Sequence, residues 1–265
     1  MKVTVHCMLK NEDQFVWYAL KSVIDFVDKI IIFDTGSTDQ TVELVRSIKS
    51  DKIVFEERGS QTREGLAKLR QEMIDRTRTD WFFILDGDEI WTKKELLKLL
   101  IEAEGVTEQI VALFNWSKDC IGDIYHYLPE NTGHYKIGNK QGSLNIRLIR
   151  KTKDLKLAGS YPLESFTNKD GPLQNQPRNL KFVDCFYLHT TFLKRSSQDR
   201  TKTFSNLGKN RLPEKGIEFK EDELPEVFKG VIPDFVPKPA RRGMLYEAEA
   251  LLTSPLLSAK RKIVR

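Results

Sequence analysis

Apolar and polar positions follow two different patterns along the first hundred residues. Short apolar runs, typical of strands, are followed by stretches in which apolar residues recur every three or four positions, as on one face of a helix. The pattern predicts strands over residues 3–9, 29–33, 52–55 and 81–85, and helices over about 15–26, 37–49, 64–77 and 92–102. This alternation predicts an α/β fold with a Rossmann-type, mostly parallel sheet flanked by helices.

The pattern changes after about residue 104. Strands are predicted over 109–116, 143–151 and 181–188 without helices of comparable length between them, so we expect the sheet to become mixed there. Five of the ten prolines lie between Pro213 and Pro239 and indicate an extended connection. Residues 240–258 then predict a helix with Leu245, Ala248, Leu251 and Leu252 on one face. We expect a catalytic domain over 1–200, with halves 1–108 and 109–200, followed by the connection and a C-terminal helix over 201–265.

Several predicted strands end in polar or acidic residues. Asn11 and Glu12 follow the first strand, Asp34 ends the second, and Asp86 and Asp88 follow the fourth. Ligands bind at the carboxyl ends of the strands in open α/β sheets. Carboxylates gathered there repel one another unless a cation lies between them. The pattern therefore predicts a cation-assisted ligand site, although a solvated acidic turn remains an alternative for residues 86–89 taken alone.

Composition narrows the class of protein. Of the 265 residues, 40% are hydrophobic and 31% are charged, which is typical of a soluble globular protein. We see no N-terminal signal pattern and no apolar run near the roughly 20 residues of a membrane span. The three cysteines are widely spaced, which argues against a zinc site. Their number and spacing favour reduced thiols, as in a cytoplasmic protein.

The positive charge is concentrated at the C-terminal end. Residues 241–265 contain six basic and two acidic residues, so this segment carries +4 of the total +5. Such a tail suits peripheral contact with an acidic membrane surface, at the inner face of the membrane, or contact with another polyanion, and we expect no nucleic-acid partner. A solvated tail is the alternative interpretation.

Four motifs together carry a family resemblance. They are Leu9-Lys10-Asn11-Glu12, Phe33-Asp34-Thr35-Gly36-Ser37-Thr38-Asp39, Arg70 placed sixteen residues before Asp86, and Asp80-Trp81 with Asp86-Gly87-Asp88-Glu89. In this order they resemble the family 2 glycosyltransferases of the GT-A fold, which transfer a sugar from a nucleotide-sugar donor. The resemblance covers about residues 3–195. The chain departs from the pattern at Gln71, where the subgroup has Asn, and in segment 159–164, which lacks the usual His.

The resemblance implies a metal-dependent, inverting transfer to a hydroxyl of a glycan or of a lipid-linked or cell-surface polysaccharide precursor. Oxygen ligands on Asp86 and Asp88 suit Mn²⁺ or Mg²⁺ bridging the donor's diphosphate. The nucleotide-diphosphate sugar is expected to lie against Asn11, Glu12, Asp34, Arg70 and Asp86. Glu164 is the expected catalytic base, and three further carboxylates are reserve candidates, namely Asp119, Asp123 and Asp170.

Alternatives stay open at three positions. His189, at the end of a late strand, is either a third metal ligand or a structural histidine. Arg70 either makes a paired contact to phosphate or lies on the surface over Leu66 and Met73. Trp91 either stacks on a sugar or belongs to the core.

Two other classes of protein compete with the enzyme. A non-catalytic nucleotide-sugar- or carbohydrate-binding protein would keep Asp34 and the fold without needing a base. A haloacid-dehalogenase-like phosphatase also has Asp-x-Asp after an apolar strand, but it would need Thr or Val where this chain has Ile90, and it would need the strand at the N-terminus.

Overall fold

The computed structural model describes residues 1–198 and 212–263. The helices are α1 (Val16–Val23), α2 (Thr41–Ser47), α3 (Arg63–Arg76), α4 (Lys93–Glu104) and α5 (Met244–Ile263). The strands are β1 (Val3–Leu9), β2 (Lys29–Asp34), β3 (Ile53–Glu57), β4 (Trp81–Ile84), β5 (Glu89–Ile90), β6 (Ala112–Asp119), β7 (His126–Tyr127), β8 (Tyr135–Ile137), β9 (Lys140–Gly142), β10 (Leu144–Arg150), β11 (Lys156–Ala158), β12 (Ser165–Asn168), β13 (Gly171–Pro172), β14 (Leu180–His189) and β15 (Ile217–Glu218).

An eight-stranded sheet in the order β3-β2-β1-β4-β10-β6-β14-β5 forms the centre of the protein. Its first four strands are parallel, as the strand–helix alternation predicts. β10 then runs antiparallel to both of its neighbours, β4 and β6, while β6 and β14 are parallel. The predicted α/β class and the change to a mixed sheet are therefore confirmed.

Helices cover both faces of the parallel half, because its strands are apolar on both faces. On one face, Val5 and Cys7 of β1 pack in the same cluster as apolar residues of α1, α2 and α4. On the other face, Ile31 and Phe33 of β2 pack against Leu69 and Met73 of α3. This layering leaves the carboxyl ends of β1, β2 and β4 at one edge, where the loops carry the polar residues.

A small antiparallel sheet, β11-β12-β13, lies beside α3. Gln71 on α3 ties the two together, because its Oε1 accepts a hydrogen bond from the backbone N–H of Leu157 at 2.8 Å. The residue that departs from the family pattern thus anchors this sheet. The anchor holds Glu164, which immediately precedes β12, against α3.

The described part of the segment after residue 211 packs on the main sheet. Lys118 of β6 is buried among the rings of Tyr127, Phe186 and Phe219, and its Nζ pairs with Glu223 at 2.7 Å. The boundary expected at residues 200 and 201 lies outside the described residues. Within the described residues, none of the helices has the length and apolarity needed to cross a membrane.

Candidate active site

The acidic residues expected at the strand ends gather around β1. Burial raises the pKa of the Cys7 thiol on β1, and the charges of Asp86, Glu12 and Glu89 raise it further, whereas that of Arg70 lowers it. Glu12 and Asp88 both lie within 3.4 Å of the Arg195 guanidinium, and Asp86 and Glu89 both lie within 3.4 Å of that of Arg147. The structure brings the loops after β1 and β4 and one face of α3 to the same edge of the sheet.

Gly87 allows the acidic turn after β4 to pack closely on the loop after β1. A Cβ atom at Gly87 would lie 2.8 Å from Leu9 Cδ2 and 2.9 Å from Glu12 Cβ, closer than carbon atoms approach. The absence of a side chain at Gly87 therefore places Asp86 and Asp88 directly beside Glu12.

Asp34 lies at the end of β2, is 2% exposed and uses only one of its carboxylate oxygens in the described structure. Oδ2 accepts hydrogen bonds from the backbone N–H groups of Gly36 and Ser37, both at 3.0 Å. Oδ1 is buried and has no hydrogen-bond partner among the described residues. A buried acceptor without a partner is costly, so Oδ1 marks a place where a ligand donor fits.

Asn11 joins the loops after β1 and β2. Its backbone adopts φ 55°, a left-handed conformation that Asn tolerates better than most residues. Its Oδ1 accepts from the backbone N–H of Thr38 at 2.8 Å, and its own N–H donates to Ser37 Oγ at 2.9 Å. Asn11 thus shapes the loop that carries Asp34.

The start of α2 differs in one detail from the sequence prediction. Ser37, where the pattern predicts the helix to begin, does not cap it, and its Oγ accepts a hydrogen bond from the backbone N–H of Asn11. Asp39 serves the helix start instead, since its Oδ1 accepts from the backbone N–H of Thr41 at 3.0 Å. The helix therefore begins at Thr41, four residues later than the pattern predicts.

Asp86 is held by an arginine that sequence reasoning missed. Arg147, on β10, lies 3.4 Å from Asp86 Oδ2, makes an ion pair with the fully buried Glu89, and contacts the Tyr187 hydroxyl at 3.1 Å. Burial acts to lower the pKa of Arg147, but Glu89, Tyr187 and Asp86 outweigh it and raise the pKa above its ordinary value. The sequence signal for Arg147 is a charged residue between the apolar residues Ile146 and Leu148 of a strand.

His189, at the end of β14, lies between two carboxylates. Its Nδ1 is 3.1 Å from Asp119 Oδ1, and its Nε2 is 3.6 Å from Asp88 Oδ2. Burial lowers the pKa of His189, but Asp88 and Asp119 together outweigh it and raise the pKa to about 9. His189 thus lies beside Asp88 of the acidic turn, with Asp119 orienting its ring, and its role as a metal ligand stays a prediction.

Two candidate donor atoms for a divalent ion, from Asp88 and His189, lie near each other at the acidic turn. No group of three or more His, Cys, Asp or Glu side chains within residues 1–198 and 212–263 has the arrangement of a metal site. Mg²⁺ commonly needs only one or two protein ligands beside phosphate oxygens and waters. The 3.6 Å between His189 Nε2 and Asp88 Oδ2 is close to the roughly 3 Å that separates neighbouring ligands with bonds of about 2.1 Å.

Arg195 is a second residue that sequence reasoning missed. Its Nη1 lies 2.9 Å from Glu12 Oε1 and 3.4 Å from Asp88 Oδ2, so its guanidinium places a positive charge beside the acidic turn. The following residues continue the contact, because Ser196 donates to Asp39 and Ser197 donates its backbone N–H to Asp13. Nothing in the local pattern around residue 195 signals this long-range contact.

Arg70 and Glu164 meet at the side of the site. Arg70 Nε on α3 lies 3.1 Å from Glu164 Oε1, and the two side chains are 23% and 11% exposed. Glu164 Oε2 is buried and accepts no hydrogen bond within the described residues. Arg70 is therefore partly buried beside the expected base, and its contact with phosphate stays a prediction.

The reserve carboxylates have other partners or lie away from the cluster. Asp119 accepts from Ser117 Oγ and Ser143 Oγ as well as contacting His189. Asp123 accepts from the backbone N–H groups of residues 125 and 242. Asp170 is exposed in the turn after β12. Trp91 is 1% exposed and packs between Phe83 and Tyr187, so it belongs to the core.

Comparison with known proteins gives a family match and several distant relatives. The family described as "Glycosyl transferase family 2" matches residues 4–166. The SPbeta prophage-derived glycosyltransferase SunS of Bacillus subtilis (strain 168) is 27% identical over 132 residues, which are 50% of this chain and 28% of SunS. A processive diacylglycerol beta-glycosyltransferase of Mycoplasma genitalium is 26% identical over 77 residues, which are 28% of this chain and 23% of that enzyme. The matches thus span less than a third of the length of either relative.

Several solved protein structures are similar to this chain at lower sequence identity. The S. aureus TarS fragment 1–349 is 16% identical, with a TM-score of 0.48, over 72% of this chain and 61% of the fragment. Glucosyl-3-phosphoglycerate synthase from Mycobacterium tuberculosis, in complex with Mn²⁺, UDP-glucose and phosphoglyceric acid, is 18% identical, with a TM-score of 0.35, over 44% of each chain.

Proposed function

The chain belongs to glycosyl transferase family 2, and we propose that it transfers a sugar from a nucleotide-diphosphate sugar to an acceptor hydroxyl. Family membership supports the reaction class. The residues at the strand ends support the donor class, because they combine acceptors for a nucleoside with positive charge for a diphosphate.

The observation that carries the proposal is the buried Oδ1 of Asp34, which lacks a hydrogen-bond partner among the described residues. Hydroxyl or imide N–H groups of a bound nucleoside would satisfy it. Asn11 and Glu12 lie on the adjoining loop, where Asn11 holds the Asp34 loop and Glu12 pairs with Arg195. We therefore assign the nucleoside to the end of β2 at Asp34 and the diphosphate to the side of Asp86 and Arg70.

The proposed metal ligands are Asp86, Asp88 and His189. Asp88 and His189 are already adjacent, and Asp119 fixes the His189 ring so that Nε2 is directed towards Asp88. Mn²⁺ or Mg²⁺ bound there would supply positive charge to the departing diphosphate. Arg147 holds Asp86 in place through its contact at 3.4 Å.

Glu164 is the proposed base. A base must lie within hydrogen-bond reach of the acceptor hydroxyl whose proton it takes. Its Oε2 is buried without a partner in the described structure and can accept that proton, while Oε1 stays against Arg70. Direct displacement opposite the diphosphate inverts the configuration of the sugar, which is the outcome we propose from the family.

The proposed acceptor is a hydroxyl of a glycan or of a lipid-linked or cell-surface polysaccharide precursor. The proposed location is the cytoplasm, with peripheral contact at the inner face of the membrane through the basic C-terminal tail. The proposed domain limits remain 1–200 and 201–265.

Calorimetric titration with nucleoside diphosphates in the presence of Mn²⁺ tests the donor assignment. The Asp34→Asn variant keeps the side chain's size but replaces one acceptor oxygen with a donor. Glu57→Gln, a neutralising change at an exposed carboxylate on β3, is the matched control. We expect Asp34→Asn to bind at least about tenfold more weakly and Glu57→Gln to bind as the native protein does. The loss at Asp34 corresponds to one buried hydrogen bond that the bound nucleoside can no longer make. Equal affinity of the two variants would refute the assignment.

A further inference from the structure

A cavity lies against β6 and β14, outside the candidate active site. Its volume is about 550 Å³, within the range of cavities that hold small ligands. Trp116 and Lys118 line it from β6, Asp184 and Phe186 line it from β14, and residues 129–131 line it from the segment after β7. The function proposed above uses none of these side chains.

β14 bulges where it borders the cavity. Its pairing with β6 shifts between Phe182 and Phe186, so that four steps along β14 match two along β6. Two side chains of α4 bond to backbone groups of this bulge. Glu95 Oε2 accepts from the N–H of Phe186 at 3.3 Å, and Lys98 Nζ donates to the carbonyl of Asp184. Because bulges redirect side chains, α4 holds Asp184 in a fixed place at the edge of the cavity.

Trp116 gives the cavity an aromatic wall. Its indole Nε1 donates to Asp184 Oδ1 at 3.2 Å, and its ring meets that of Phe182 edge to face, with the centroids 5.4 Å apart. A Cβ atom at Gly142 would lie 2.9 Å from Trp116 Cζ3, so the missing side chain there leaves room for the indole. The ring remains partly exposed. A ligand therefore meets an apolar surface that is already in position.

The charges around the cavity do not favour a cationic ligand. Lys118 Nζ lies 3.8 Å from the centre of the Phe186 ring and pairs with Glu223 at 2.7 Å. This lysine already uses the Phe186 ring as a cation–π partner, and its charge repels a second cation. Hydroxyl groups suit the remaining lining, because a hydroxyl both donates and accepts. That polar lining consists of carboxylates and amides, namely Glu95, Glu130, Asn131, Gln141 and Asp184.

We propose that this cavity binds a saccharide, with the face of one sugar ring on Trp116 and hydroxyl groups on Asp184 and the neighbouring amides. A saccharide combines apolar C–H faces with a rim of hydroxyl groups, and the cavity presents an aromatic wall beside carboxylates and amides. Phe186 precedes His189 by three residues, which is about 10 Å along a strand. The saccharide thus lies outside the site proposed for the donor, the metal ion and the base.

The inference goes beyond the proposed transfer and does not rest on it. Saccharide binding is measured without a donor, so it can be present in a protein that transfers no sugar and absent from one that does. The two proposals therefore fail independently.

Ligand-observed saturation-transfer NMR with maltotriose, cellotriose and chitotriose tests the proposal on the whole chain. We expect at least one of these trisaccharides to bind the native protein. Trp116→Ala should weaken that binding at least about tenfold, because it removes the aromatic wall. Asp184→Ala should weaken it about tenfold, because it removes a hydrogen-bond acceptor for the sugar. The matched controls are Phe235→Ala and Asp51→Ala, at an exposed aromatic residue and an exposed carboxylate that do not line the cavity, and both should bind as the native protein does.

Three outcomes would overturn the proposal. One is a native protein that binds none of the three trisaccharides. Another is equal binding by the test variants and the controls, because the sugar would then bind elsewhere. The third is binding of tetralysine that Asp184→Ala weakens, without binding of a trisaccharide, since the cavity would then take a basic peptide. Thermal unfolding checks that each variant is folded, and the exposed position of Asp184 lets that variant decide if Trp116→Ala does not fold.

Discussion

The Nε atom of Arg70 lies 3.1 Å from Oε1 of Glu164, so the expected phosphate ligand and the expected base form one ion pair. α3 supplies the arginine, and the segment before β12 supplies the carboxylate. In our proposal the donor diphosphate lies on the Arg70 side of this pair and the acceptor on the Glu164 side. The pair would then set the distance between the two substrates.

Substitution of Glu164 by Gln should lower transfer by about a hundredfold or more, since general-base catalysis is typically worth 10²–10⁴. Gln keeps the size of the side chain but takes no proton. Initial rates with saturating donor measure the effect, while calorimetry should show unchanged donor binding. Turnover close to that of the native protein would transfer the role to another carboxylate.

Arg70→Met should weaken binding of a nucleoside diphosphate while leaving binding of the corresponding nucleoside unchanged, because only the former offers phosphate to the guanidinium. Arg46→Met, at an exposed arginine on α2, is the matched control. If Arg70 serves only to position Glu164, both affinities will stay native and only the transfer rate will fall.

Asp88→Asn should remove the part of nucleotide binding that depends on manganese, because it neutralises a carboxylate at the proposed ion site. Affinities for a nucleoside diphosphate are compared with added Mn²⁺ and with chelator. The expected result is a native protein that responds to metal and a variant that does not. A variant with the full metal response would remove Asp88 from the ligand set.

Arg147 and Glu89 form a buried ion pair, with side chains 10% and 0% exposed. Arg147→Met should cost about 3–5 kcal/mol of the free energy of unfolding, because it leaves a carboxylate buried without its cation. Arg147→Met/Glu89→Leu should recover most of that loss. Urea unfolding of the single and double variants measures both effects, and additive losses would contradict the coupling.

His6 should make the fold less stable in acid. Burial, aided by the charges of Lys151 and Arg70, lowers its pKa to about 3, against an ordinary value near 6.5. Between these values the unfolded chain binds a proton that the folded chain does not, so this contribution is complete above pH 6.5 and falls as the pH falls. At pH 4.5 the loss is about 2.7 kcal/mol.

The His6→Gln variant tests this pH dependence, because Gln retains hydrogen-bonding groups for Thr77 without titrating. Urea unfolding at pH 7 and pH 4.5 gives the change in the free energy of unfolding for each protein. The change should be smaller in the variant by about the amount expected for His6. An identical change in both proteins would show that His6 does not titrate on unfolding.

The sequence by itself determined the parallel half of the sheet and the edge where the site lies. Apolar runs that end in Asp34 and in Asp86-Gly87-Asp88 carry this information locally, because parallel strands bring their carboxyl ends to one edge whatever the rest of the chain does. His189 was found for the same reason, since it ends a strand of the same sheet.

Only the tertiary structure decided which charges meet. Arg147 and Arg195 reach the acidic cluster across 58 and 107 residues of sequence, from Glu89 and Asp88 respectively, and no local pattern encodes such distances. The sequence pattern also did not reveal which face of α5 packs against the protein. A 3.6-residue period separates an apolar face from a polar face. Residues 213–215 present backbone N–H and carbonyl groups to the helix, so the hydroxyl face of α5 docks and the leucine face remains outside.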